Sequence, residues 1–251
     1  MIISKLQGGL GNQLFQYAYG RALSNKNNIE LYLDISWYKG RIDRKYILDR
    51  FNIEAKIANR FDVFKTRLLS PSNYIIGDYQ SEKYFKDIEN IIRKEFVLKD
   101  EISDKYKDII EKMKSHNSVS IHLRGGDYVL GKKSGFHGMC SPEYYREAIN
   151  TMKNRVVDVH FFIFTDDIKW AEKHIDFPNP HTLVSDTSSR PEKELILMSL
   201  CKHNIIANST FSWWGAWLNN NKDKIIIAPK KWFSNEKIDT SDILPSTWIK
   251  I

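Results

Sequence analysis

The chain has 251 residues, 42% of them hydrophobic and 27% charged, which excludes a disordered protein and allows one large domain or two small ones with ample core. Lysine and arginine exceed aspartate and glutamate by 38 − 31 = 7, a balance that fits anionic partners (nucleotides, nucleic acid or an acidic membrane surface) and equally fits lysines kept for solubility. Two distant cysteines, Cys140 and Cys201, argue against a disulfide framework or a zinc site, and no apolar run is long enough for a signal peptide or a membrane span, so a cytoplasmic location is expected.

Ile2 to Leu6 reads as a first strand, Gly8-Gly9-Leu10-Gly11-Asn12 as a glycine turn, and Asn12 to Leu23 as a helix with Leu14, Phe15, Ala18 and Ala22 on one face. In a strand, glycine turn and helix of this kind, the amides that open the helix attract an anion. The plainer reading is a structural tight turn. Ile29 to Leu33 reads as a second strand ending at Asp34, an acid about 20 residues after the glycines, as in a dinucleotide fingerprint. Leu14 stands where the third glycine of that fingerprint belongs. Short helices and loops are expected from Trp37 to Ser70, a strand over Ile75 to Tyr79, and amphipathic helices over Ser81 to Glu95 and Glu101 to Lys114. The polar Ser115-His116-Asn117 is the expected boundary between two domains, 1–116 and 117–251.

Ser118 to Ile121 is a short apolar strand that leads into His122-Leu123-Arg124-Gly125-Gly126-Asp127. Lys132 to Gly138 reads as a loop, and Ser141-Pro142 opens a helix to about Lys153. His160 to Phe164 is a continuous apolar strand of the parallel-sheet kind, ending in Thr165-Asp166-Asp167. A helix over Ile168 to His174, a strand over Thr182 to Val184 and a helix from Arg190-Pro191 through Leu200 follow. Asn204 to Ala207 reads as a strand that meets Asn208-Ser209-Thr210-Phe211, and Ile225 to Ala228 as the last strand. Strands alternating with helices imply two α/β halves, each on a parallel sheet.

The strand ends at His122 to Asp127, Thr165 to Asp167 and Asn208 to Thr210 should share one edge of the second sheet, where open α/β sheets bind ligands. Arginine suits a forked grip on phosphate, so Arg124 is the expected diphosphate ligand. The backbone amides of Thr210 and Phe211 would face the same anion, unless Ser209 and Thr210 serve only as helix caps. Asp166 and Asp167 suit a ribose or base edge, or a helix start. His122 is either a satisfied core histidine or a group that donates to phosphate or orients Arg124. Trp213, Trp214 and Trp217 read as core. With no Asp-x-Asp in the chain, a departing diphosphate would be stabilised by Arg124 and backbone amides without a metal.

Over nearly its whole length the sequence resembles the inverting alpha-1,2-fucosyltransferases of glycosyltransferase family eleven. The resemblance rests on Gly8-Gly9-Leu10-Gly11-Asn12-Gln13-Leu14-Phe15-Gln16, Leu33-Asp34-Ile35-Ser36-Trp37, Gln80-Ser81-Glu82-Lys83-Tyr84-Phe85, His122-Leu123-Arg124, Phe164-Thr165-Asp166-Asp167 and Asn208-Ser209-Thr210-Phe211-Ser212-Trp213-Trp214-Gly215. It implies a GT-B-type α/β fold with two Rossmann-like domains facing a cleft, an acceptor-side first domain and a GDP-binding second one. It implies GDP-L-fucose as donor, a galactoside or similar hydroxyl as acceptor, an alpha-1,2 linkage, and neither cofactor nor metal. Arg124 would bind the diphosphate, His122 and Asp127 would shape that motif, the glycine loop with Gly9, Gly11 and Gln13 would close on the phosphates, and Asn12 would sit near the sugar-phosphate. In one place the chain departs: the family's usual second arginine is Gly125, which leaves another GDP-deoxysugar such as GDP-colitose open.

A general base for the acceptor hydroxyl is sought first in Asp127 and second in Asp34. Surface-glycan synthesis of the O-antigen or capsule kind would make the acceptor an oligosaccharide or lipid-linked glycan, with no nucleic acid partner, and leaves peripheral contact with the inner face of the membrane open. A competing NAD-binding oxidoreductase reading uses Gly9, Gly11 and Asp34.

Overall fold

The computed structural model describes residues 1–125, 140–186, 190–235 and 237–251. They form two compact α/β units, Met1–Glu101 and Ile102–Ile251.

The first unit holds a four-stranded parallel sheet in the order β3-β2-β1-β4, with β1 Ile2–Lys5, β2 Leu31–Asp34, β3 Lys56–Ile57 and β4 Tyr74–Ile75. Helix α1, Leu10–Asn27, follows β1 and buries Leu14, Phe15, Tyr17 and Ala18. Helix α2 is Arg60–Leu69 and α3 is Glu89–Glu95. Tyr17 Oη and Arg21 Nε both donate to the buried Glu95 carboxylate, at 2.7 and 2.9 Å, which ties α1 to α3.

The second unit is a six-stranded, all-parallel sheet. Its strands are β5 Asn117–Leu123, β6 Val159–Thr165, β7 His181–Leu183, β8 His203–Ile205, β9 Ile226–Ala228 and β10 Ile249–Lys250, in the order β10-β9-β8-β5-β6-β7. Counted from β5 as the first strand, this is the 3-2-1-4-5-6 order of dinucleotide-binding sheets, whose order reverses between β5 and β8. Central strands β5 and β6 run in register from Asn117 opposite Val159 to Leu123 opposite Thr165. Phe161 and Ile163 pack on one side with Tyr145, Ala148 and Met152 of α5, Pro142–Lys153. Phe162 and Phe164 pack on the other with Leu197 and Met198 of α7, Pro191–Leu200. The alternation follows from successive strand residues pointing to opposite faces. Helices α4, Lys107–Ser115, α6, Ile168–His174, and α8, Thr210–Leu218, complete the unit. Trp213, Trp214 and Trp217 of α8 are buried, and the Trp213 indole donates to the Ile243 carbonyl at 2.8 Å.

Three sequence expectations change. The division between units falls at 101/102 rather than 116/117, because Tyr106, at the N-cap of α4, and Met113 within that helix pack against Phe162 and Phe164 of the second sheet. The helix expected over Ser81 to Glu95 is two short 3-10 turns followed by α3. Phe85 and Ile88 leave helical backbone geometry there, yet both side chains remain buried. The strand over Ile75 to Tyr79 shrinks to Tyr74–Ile75, and an unexpected last strand, β10, pairs with β9. Two residues are too few to show a period in sequence. What makes β10 a strand is its backbone pairing, extended by Ile251 N–H to the Ala228 carbonyl at 3.0 Å.

Candidate active site

Because the second sheet is parallel, β5, β6 and β8 end at one edge. Arg124 follows β5 directly, and its Nη1 donates to Ser209 Oγ at 3.2 Å. That bond spans the β5–β8 gap where the strand order reverses. Ser209 occupies the N-cap of α8, but its hydroxyl makes no cap hydrogen bond there. On the other side, Gly125 N–H donates to Asp166 Oδ1 at 2.9 Å and joins the end of β5 to the end of β6. Two bonds therefore gather Arg124, Gly125, Asp166 and Ser209, with Thr210 and Phe211 opening α8 beside them. A guanidinium next to the first turn of a helix is an anion-attracting arrangement.

His122 lies beneath this edge, 5% exposed. Its ring is 5.6 Å from the Phe211 ring, and its backbone carbonyl accepts from Tyr145 Oη at 3.2 Å. Burial pushes its pKa down to about 4; the Asp166 carboxylate works against that and the Arg124 guanidinium with it. The imidazole is therefore neutral near pH 7, and among the described residues its Nδ1 has no hydrogen-bond partner. A buried polar nitrogen left this way is costly unless something fills the position.

The neighbouring acids and amides have narrower roles. Asp167 caps α6, its Oδ1 accepting from Trp170 N–H at 2.9 Å, as the helix-start reading expects. Asn208 braces the turn: its Nδ2 donates to the Trp232 carbonyl at 3.1 Å and its Oδ1 accepts from Cys140 Sγ at 3.4 Å. Asp127 lies outside the described residues, as does the loop expected over Lys132 to Gly138.

Gly125 is explained by a residue the sequence reading did not single out. A Cβ built at Gly125 would meet three ring atoms of Trp170 at 2.5, 2.5 and 2.9 Å. The indole, third residue of α6 and stacked on His174 at 5.2 Å, fills the volume a side chain at 125 would need. A signal was available in the departure itself: a glycine in place of an expected arginine leaves room that a large neighbour such as Trp170 can take.

In the first unit, Gly8 adopts φ +83°, a conformation that favours glycine, and Gly9 is the N-cap of α1, accepting from the N–H groups of Asn12 and Gln13 at 3.1 Å each. Gly11 and Asn12 stand in the first turn of that helix. Gln13 bonds within its own unit. Its side chain donates to the Lys45 carbonyl at 2.9 Å and to that of Gly8 at 3.4 Å, and accepts from Ile47 N–H at 3.0 Å. Two of these three bonds tie the amide to the 45–47 segment. Asp34 is held in a similar way. It is 4% exposed, and its carboxylate accepts from Tyr74 Oη at 2.5 Å and Ser36 N–H at 2.9 Å. Burial alone would raise its pKa, but these two bonds outweigh it and hold the group below the usual carboxylate range. Each carboxylate oxygen of Asp34 thus has a partner within the first unit.

Among the described residues, no group of three or more His, Cys, Asp or Glu could hold a metal ion, and no helix is long and apolar enough to cross a membrane. The family description "Glycosyl transferase family 11" matches residues 41–251. Its range covers the whole Arg124 cluster and begins after the glycine turn. An alpha-1,2-colitosyltransferase of Escherichia coli is 33% identical over 100% of this chain and 99% of its own length. The O-antigen biosynthesis glycosyltransferase WbnK of Escherichia coli is 31% identical over 99% of each. Among solved structures, the fucosyltransferase NodZ from Bradyrhizobium superposes with a TM-score of 0.53 at 14% identity, over 85% of this chain and 91% of that one. That likeness concerns the fold, which is of the GT-B type.

Proposed function

The chain belongs to glycosyl transferase family 11, and from that premise we propose that it transfers L-fucose or its close relative colitose from the GDP-linked sugar to a sugar hydroxyl, forming an alpha-1,2 linkage with inversion, in the assembly of a bacterial surface glycan. The observation that carries this reading is the Arg124–Ser209 bond across the reversal point of the second sheet. It holds a permanent cation beside the opening turn of α8, where a departing diphosphate needs charge stabilisation.

In the proposed reaction the acceptor oxygen attacks the anomeric carbon. The bond from that carbon to the diphosphate oxygen breaks, GDP leaves with the electron pair, and the hydroxyl proton passes to a base. Arg124 and the first amides of α8 stabilise the charge on GDP, and this positioning supplies most of the rate. His122, neutral and with Nδ1 facing no described partner, offers a hydrogen bond to a phosphate oxygen. Asp166 and Asn208 hold the backbone of these turns in place. With Asp34 committed to Tyr74 and Ser36, Asp127 is the remaining base of the two considered.

L-fucose is what the family resemblance implies, and colitose is favoured by the named activity of the relative at 33% identity. Incubation with a panel of GDP- and UDP-sugars and a set of galactoside acceptors decides between them: release of GDP and gain of product mass with one 6-deoxy donor is the expected outcome. Turnover confined to UDP-sugars would overturn the proposal. Transfer should persist in excess chelator, and loss of activity restored by manganese would contradict the role given to Arg124. The acceptor is proposed to be an oligosaccharide or lipid-linked glycan at the inner face of the membrane.

A further inference from the structure

Helix α2 of the first unit is inside out. Its only buried residue is Thr66, while Phe61, Phe64, Leu68 and Leu69 are 68%, 65%, 66% and 67% exposed. At 100° per residue, Phe61, Phe64 and Leu68 fall within a 60° arc on the side opposite Thr66, while Leu69 lies about 80° outside that arc. The helix is well made: Asn59 and Asp62 form a reciprocal capping box at its start, with bonds of 2.9 and 3.0 Å. Scattered single apolar residues on a surface need no account, but two phenylalanines and two leucines on one ten-residue helix do.

The charges beside the stripe identify its partner. Exposed Arg60 and Arg67 flank it on one side and Lys65 on the other. The one acid in the helix, Asp62, has its carboxylate engaged in the capping box. A large apolar face bordered by cations is the composition of a helix that lies in a membrane interface, with rings among the acyl chains and cations among anionic headgroups. A second copy of the chain fits poorly, because a two-fold contact through this stripe would set its cations against themselves. We propose that α2 is a membrane-docking face that seats the protein on an anionic lipid surface. This stands apart from the transfer chemistry and is tested without it.

The test is co-sedimentation of the full chain with vesicles of phosphatidylglycerol and phosphatidylethanolamine, and with phosphatidylcholine alone. Binding to the anionic vesicles, weakened by salt and small on phosphatidylcholine, is expected. The F61S/F64S variant should lose roughly tenfold or more in partitioning, and K65Q and R67Q about fivefold each. Because the replaced side chains are exposed, thermal midpoints should stay near the parent's. F64W supplies an independent reading: its emission should shift to shorter wavelength only when anionic vesicles are added. No sedimentation with anionic vesicles, binding unchanged in F61S/F64S, or an unshifted F64W emission would each overturn the proposal. Self-association that F61S/F64S abolishes, measured by light scattering without lipid, would assign the face to a second copy and overturn it too.

Discussion

Two turns in this chain carry the same expectation and differ in what their polar groups do. The β1–α1 turn of the first unit and the β8–α8 turn of the second each link a parallel strand to a helix, and each reads as an anion site. In the first, the side chains bond inward: Gln13 reaches Lys45, Ile47 and Gly8, Tyr38 Oη donates to the Gly8 carbonyl at 3.2 Å, and Asp34 at the neighbouring strand end is held by Tyr74 and Ser36. In the second, Ser209 gives up its capping role to take a guanidinium from the next strand, and a buried imidazole nitrogen beside it has no described partner. A glycine turn therefore does not announce a ligand site; the balance of hydrogen-bonding groups around it does.

The sharpest way to break that contrast is to remove the central group on each side. Arg124→Ala should lower transfer by about 10²–10³-fold, the scale for losing one preorganised donor to a developing anion, and weaken GDP binding while leaving the thermal midpoint nearly unchanged. Gln13→Ala should do the reverse. It strands the Ile47 N–H and Lys45 carbonyl and costs about 2–3 kcal/mol of stability, readable as an earlier midpoint in urea unfolding, with GDP affinity little altered. If Gln13→Ala abolished GDP binding in a folded protein, the inward-bonded reading of the first turn would be lost.

A second comparison lies within the cluster, between position 125 and the indole that fills it. Gly125→Ala should cost about 1–3 kcal/mol by overpacking against Trp170, and Gly125→Arg more. In a Trp170→Ala background the arginine should be tolerated, so that the two changes together are less harmful than their sum. Additive losses in that cycle would mean the ring and the glycine are not coupled.

Much of this was legible in the residues. Alternating strands and helices gave two parallel-sheet units, and the apolar runs at 118–121 and 160–164 marked the central strands of the second, because strands buried on both faces need no alternation. The gathering of Arg124, Asp166 and Ser209 followed from placing strand ends on one parallel edge. The spending of Gln13 and Asp34 was not legible, because their partners Lys45, Ile47 and Tyr74 lie 32 to 40 positions away and no local pattern names them. Trp170 escaped for the opposite reason: its spacing in a short helix is ordinary, and only the missing side chain at 125 gives it meaning.

The smallest effect concerns His122 Nδ1, which has no hydrogen-bond partner among the described residues. A histidine whose pKa is about 4 in the folded chain and near 6.5 when unfolded stays neutral in the native state while the unfolded chain takes up a proton. Stability from this source is complete above pH 6.5 and is lost as pH falls toward 4, by about 1 kcal/mol between pH 7 and pH 5.5. His122→Gln removes the titration, so its stability should vary less over that interval than the parent's by this amount, as measured by urea unfolding at each pH. Saturating GDP should flatten the parent's profile further, since a phosphate oxygen at Nδ1 would stabilise the protonated ring and draw its folded-state pKa back toward the ordinary value. Equal slopes in parent and variant would place the imidazole in contact with water or with a partner, and its part in holding the diphosphate would fall with that result.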